Sequence, residues 1–149
     1  MDYRVVADVQ GQRTIVAVFA EGDEALAGLK EVAEAENLSS ASVAAVGAFE
    51  RATVGWYDLE AKEYRDIPVN EQVEVLSLLG DVARGQDGSV AVHVHAVLGL
   101  RDGTTRGGHL REGVVRPTLE VVLTESPAYL RKTPRPEYGL AVIDLAASS

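Results

Sequence analysis

Cysteine is absent from this 149-residue chain, which removes disulfides, thiolate metal ligands and cysteine nucleophiles together. A reducing, cytoplasmic setting fits that absence. No run of 18 or more apolar residues occurs, so no transmembrane helix is expected. The N-terminal stretch Met1–Asp8 lacks a basic segment followed by an apolar one, so it does not read as a signal peptide. Positive charge is also short: 14 Lys and Arg stand against 23 Asp and Glu, a formal net charge of −9. Binding to DNA rests on neutralising phosphates, and an acidic protein approaches a polyanion with the wrong long-range field. The deficit is uneven, because residues 101–135 hold seven basic and four acidic residues. That region could meet an anion, or its arginines could simply solvate loops.

What is present has the balance of a globular protein, 46% hydrophobic and 25% charged. There is no internal repeat and no low-complexity linker, so residues 1–149 are read as one domain. The apolar stretches Val5–Val9 and Thr14–Phe19, with a turn at Gly11-Gln12, predict an opening hairpin. Asp23 is a candidate cap for a helix in which Ala25, Leu26, Leu29, Val32 and Ala33 recur at helical spacing, and Asn37 is a reasonable stop. From residue 42 onward the pattern is β-rich. Strands are expected over 42–49, 52–58, 64–69, 72–80, 89–100, 119–123 and 140–145, with turns at Glu60–Glu63 and Gly85–Gly88. One helical turn is expected over 126–130, and an extended loop over 133–136 because two prolines interrupt it. The result is an α+β fold with a mostly antiparallel sheet.

All three histidines of the chain fall within 17 residues, at His93, His95 and His109. Alternation along the strand around Val90–Leu98 puts His93 and His95 on one face. Their Cα atoms then lie about 6.8 Å apart, twice the strand rise. Side chains of that reach can converge on one ion, whose bonds to imidazole nitrogen are about 2.0–2.1 Å for zinc. Gly107-Gly108 directly before His109 allows a loop to fold back and bring in the third imidazole. Three imidazoles without a thiolate would leave a coordination position open, as in catalytic zinc sites. Iron, nickel and copper also suit imidazole, so the residues do not choose the metal. The alternative is that these are ordinary polar side chains on a half-exposed sheet.

At this point the chain resembles the PPC (plant and prokaryote conserved) domain family, over roughly residues 12 to 145. Three blocks carry the resemblance: Glu74-Val75-Leu76-Ser77-Leu78-Leu79-Gly80; His93-Val94-His95-Ala96-Val97-Leu98 with Asp102-Gly103; and Gly107-Gly108-His109-Leu110 with Glu112-Gly113 and Val115. The resemblance implies an antiparallel sheet flanked by helices, assembled as a homotrimer. It also implies that His93, His95 and His109 hold a divalent metal, with zinc placed first and iron or nickel as alternatives. Plant members pair the domain with an AT-hook built on Arg-Gly-Arg-Pro. Here Arg116-Pro117 and Arg135-Pro136 are not preceded by Arg-Gly.

Three functions compete on these residues. The first is a metal-binding oligomer that takes a small anionic ligand, with Arg106 and Arg111 beside His109 to hold it and Glu74 as a supporting carboxylate or general base. The second is a non-enzymatic module that recruits a protein partner, with Trp56, Tyr57 and the 72–80 strand packing between subunits. The third is a transcription-associated DNA binder, which the charge and the missing AT-hook oppose. There is no nucleophile–base pairing and no phosphate loop, so no reaction is assigned.

Overall fold

The computed structural model describes residues 1–126 and 128–149. Its first element is the expected hairpin, β1 (Asp2–Val9) and β2 (Gln12–Ala20). The turn is Gln10-Gly11, with φ of 54° and 82°. Two consecutive positive φ angles match the right-handed twist of paired strands, and this is where the glycine is needed. Helix α1 (Ala25–Ala35) follows and buries Ala25, Gly28, Leu29, Val32 and Ala33. Its cap is Glu24, whose carboxylate accepts from Ala27 N at 2.7 Å. Asp23, the expected cap, is occupied elsewhere: it accepts from Ala20 N at 2.8 Å and pairs with the Met1 amine at 2.9 Å. Asn37 ends the helix with φ 51°, as a short amide-bearing side chain can.

Beyond the helix the chain is β structure: β3 (Ala41–Asp58), β4 (Glu63–Val69), β5 (Val73–Arg84), β6 (Val90–Gly99) and β7 (Thr105–Glu125). The two short strands expected over 42–58 are one 18-residue strand. Gly47, with φ 153°, lies where the β3 register shifts against β5 and β7, so the strand bends without stopping. The strand expected over 119–123 is the end of a 21-residue strand that begins at Thr105. The main sheet runs β1-β2-β7-β6-β5-β3-β4, and β7 pairs with β3 as well, so the middle of the sheet closes on itself. All main-sheet pairings are antiparallel.

Closure creates an inside. Phe49, Leu78, Leu98, Leu110, Leu119 and Leu123 are fully buried there, and Phe19 packs against the helix at Gly28. Strands β8 (Lys132–Arg135) and β9 (Leu140–Ile143) form a separate two-stranded sheet. Residues 133–136 are therefore mostly strand rather than loop. A two-stranded ribbon has only edges, which is where proline is tolerated. The helical turn expected over 126–130 includes Pro127, which lies outside the described residues, and its other residues are not helical. Among the described residues α1 is the one α-helix, so the sheet is not flanked by several.

Candidate metal centre

Strand alternation places His93 and His95 as expected, on the outer face of β6, alternating with the buried Val94 and Ala96. The third histidine arrives differently. β6 turns at 100–104, where Leu100 N donates to Thr104 O at 2.8 Å, and returns at once as β7. His109 is thus already in a strand, directly opposite His95 in the β6–β7 pairing. Opposed residues in a sheet share a face. Gly107 and Gly108 are strand residues there, and their φ angles are not positive. Their small size is what matters: a Cβ on Gly108 would meet Gly55 O at 2.5 Å and one on Gly107 would meet Ala96 O at 2.9 Å. The pair lets three strands close tightly around the site.

Each histidine offers one ring nitrogen to a cluster whose members lie within 4.8 Å of one another. Nε2 of His93 and Nε2 of His95 are 3.1 Å apart. Tetrahedral ligands with bonds of about 2.0–2.1 Å sit roughly 3.3 Å from each other, so modest rotations of the side chains would complete the set. His109 is half-buried, and its Nδ1 is enclosed without a hydrogen-bond partner. Leaving such an atom unpaired costs about 1–3 kcal/mol. The pair of facing Nε2 atoms and the unpartnered imidazole fit a cation held by neutral nitrogens.

The electrostatics favour the neutral, ligating form. Burial pushes the His109 imidazole down to about 4, helped by His93, His95, Arg111 and Lys132. Burial and then His93 also lower His95. Both rings therefore keep a lone pair at neutral pH, as metal ligation requires.

Around the triad the structure keeps one of the three supporting residues expected. Arg111 stacks over Tyr64, with its guanidinium carbon 5.0 Å from the ring centroid, and its Nε is 3.3 Å from Asp66 Oδ1. Tyr64 in turn lies against His109, ring centroids 4.8 Å apart. Arg111 thus stands at the margin of the site. Arg106 does not reach it: it stands three positions before His109 along a regular stretch, an odd offset that points it to the other face, and it donates to Pro68 O at 3.3 Å.

Glu74 is also remote. The β5–β6 register sets it against Gly99, while Leu79 is the residue opposite His95. The interval is five positions on β5 and four on β6, so roughly 13–16 Å of strand lies between Glu74 and the site. The carboxylate that the register delivers is Asp81, opposite His93, with Oδ2 3.3 Å from His93 Nδ1. Asp81 carried a signal in the sequence as the one charge inside a largely apolar run, Val75–Ala83. Lys132 carried none.

Comparison with known proteins gives one consistent result. The family model described as the Plants and Prokaryotes Conserved (PCC) domain matches residues 6–127. A plant- and prokaryote-conserved (PPC) protein from Pyrococcus horikoshii is 32% identical, with a TM-score of 0.82 over 89% of this chain and 91% of that one. A metal-containing protein from Archaeoglobus fulgidus is 28% identical, with a TM-score of 0.82 over 96% of each chain. A protein from Ralstonia eutropha with a provisional DNA-binding name is 27% identical, with a TM-score of 0.80 over 87% and 90%. Curated relatives from Synechococcus strains, bifunctional GlmU proteins, are 34% identical over 114 and 99 residues. Those stretches are 17% and 14% of the relatives' own length.

Proposed function

Because the chain belongs to the Plants and Prokaryotes Conserved domain family, we propose that it is a homotrimeric metal-binding domain in which His93, His95 and His109 hold one divalent cation and a small anion takes the open position. The observation that carries this reading is the convergence of the chain's three histidines, two of them with lowered pKa, on one solvent-facing point. The name of the Archaeoglobus fulgidus relative supports it. Zinc is the first choice for three imidazoles, with iron and nickel next. A bound cation would supply Lewis acidity toward a carboxylate or phosphoryl oxygen. The residues themselves contribute orientation: the strand pair fixes His95 against His109, and Arg111 offers positive charge beside the open side.

Support for an oligomer comes from the face that carries the site. Alternation and register put Leu79, Val97, Val122 and Val18 on the same outer face as His95, and Val46 and Leu76 adjoin them. Leu79, Val46 and Leu76 are 58%, 56% and 53% exposed in the single chain. Glu120 lies among them, but an outer face otherwise this apolar belongs against another protein surface. A trimer would cover it and bring the histidine sites to the subunit boundaries. Direct binding to DNA is opposed by the −9 charge, which three copies would triple.

The test is elemental analysis and sedimentation of untagged protein dialysed against zinc, iron or nickel. About one metal per subunit and a particle of about three subunit masses are expected. Loading below about 0.2 per subunit for every metal would overturn the site, and a monomer would overturn the assembly.

A further inference from the structure

Behind His93, away from the other two histidines, lies a charge pair that the site does not need for ligation. Asp81 bridges two groups: Oδ2 is 3.3 Å from His93 Nδ1, and Oδ1 is 2.7 Å from the ammonium of Lys132. At that separation the ammonium and the carboxylate form a close ion pair. The side chain of Lys132 is only 8% exposed. A buried ammonium is costly unless it is paired, and Asp81 is its partner. Lys132 opens β8, beyond the stretch matched by the family model, and the Arg84–Arg131 bridge docks that segment beside the end of β5.

We propose that Asp81 is a positioning residue for the metal centre, and that Lys132 acts on the centre only through Asp81. The chemistry follows from the two faces of an imidazole. A carboxylate at Nδ1 accepts the N–H there and so fixes the tautomer in which Nε2 carries the lone pair. In this structure that Nε2 is the atom facing His95 at 3.1 Å. If His93 instead put its single proton on Nε2, Nδ1 would turn a lone pair toward the Asp81 carboxylate. Lys132 keeps that carboxylate from swinging out to water, so a segment far along the chain sets the geometry of one ligand. The inference rests on the three-histidine reading above.

The experiment compares zinc affinity, by competition with a chromophoric chelator, in wild type, Asp81→Asn, Lys132→Met and the double variant. Asp81→Asn is expected to bind zinc about 10–100-fold more weakly. Lys132→Met should weaken binding alone and add nothing in the Asp81→Asn background, because a residue acting through another is silent once that other is gone. Long-range proton–nitrogen NMR of the metal-free protein supplies a readout independent of loading. It should show His93 protonated at Nδ1 in wild type and shifted toward Nε2 in Asp81→Asn. A wild type that takes up no zinc overturns the three-histidine reading and this inference with it. A loaded wild type with unchanged affinity in Asp81→Asn, or a His93 protonated at Nε2, overturns the inference alone. Additive losses in the double variant overturn the role of Lys132.

Discussion

Replacement of His109 by alanine should abolish stable metal uptake, from about one ion per subunit to below about 0.1. The two imidazoles left on β6 are two residues apart on an exposed face, with water free to compete. His109 is the ligand supplied by the second strand, and the one that burial holds neutral. The same variant has a pH signature in metal-free protein. The folded-state pKa of His109, about 4, lies below its ordinary 6.5. Between those values the unfolded chain binds the proton and the folded chain does not, so stability falls as pH drops through that window. Above it both states are neutral and the penalty is absent. His109→Ala removes this part of the acid sensitivity, so from about pH 7 to about pH 4.5 chelator-treated wild type should lose more stability than the variant. Metal loading equal to wild type would show that His109 is not a ligand.

Gly80→Ala should be the most damaging single-atom change near the site. A Cβ there would lie 1.9 Å from the His93 carbonyl oxygen and 2.7 Å from Val94 Cα. Both are backbone atoms of the neighbouring strand, so no flexible side chain can move aside. β5 and β6 would have to separate between Leu79 and Asp81, the residues opposite His95 and His93. Overpacking of this kind costs about 3 kcal/mol when the obstacle is rigid. Denaturant unfolding of the metal-free variant measures the loss, and zinc affinity should fall with it. A destabilisation below about 0.5 kcal/mol would mean that the strands yield easily at this point.

Much of this was legible in the linear pattern. Period-two alternation over Ala91–Leu98 was enough to put His93 and His95 on one face, because a strand has only two faces. The helix was visible in the spacing of Leu29, Val32 and Ala33, and the opening hairpin in two apolar runs around a glycine. Exclusion of thiolate ligands followed from composition alone. The apolar and polar faces of β5 were harder to read, since Leu76 and Leu79 look like core residues yet stand exposed on the outer face.

Register and closure were decided only in three dimensions. Glu74 and Asp81 are both acids on the strand beside β6, and the β5–β6 pairing alone determines that Asp81 meets His93 while Glu74 meets Gly99. Local sequence does not encode that choice, because a strand's pairing is set by how its buried face fits its neighbours along the whole length. The same holds for His109, which sequence brings near through a hinge but the structure delivers by cross-strand pairing within a continuous β7. Lys132 lies 51 positions beyond Asp81 and reaches it because the β8–β9 ribbon docks at the end of β5. The three histidines were therefore a property of the sequence, whereas their supporting carboxylate and its buried lysine came from packing, which joins residues by surface fit and not by spacing.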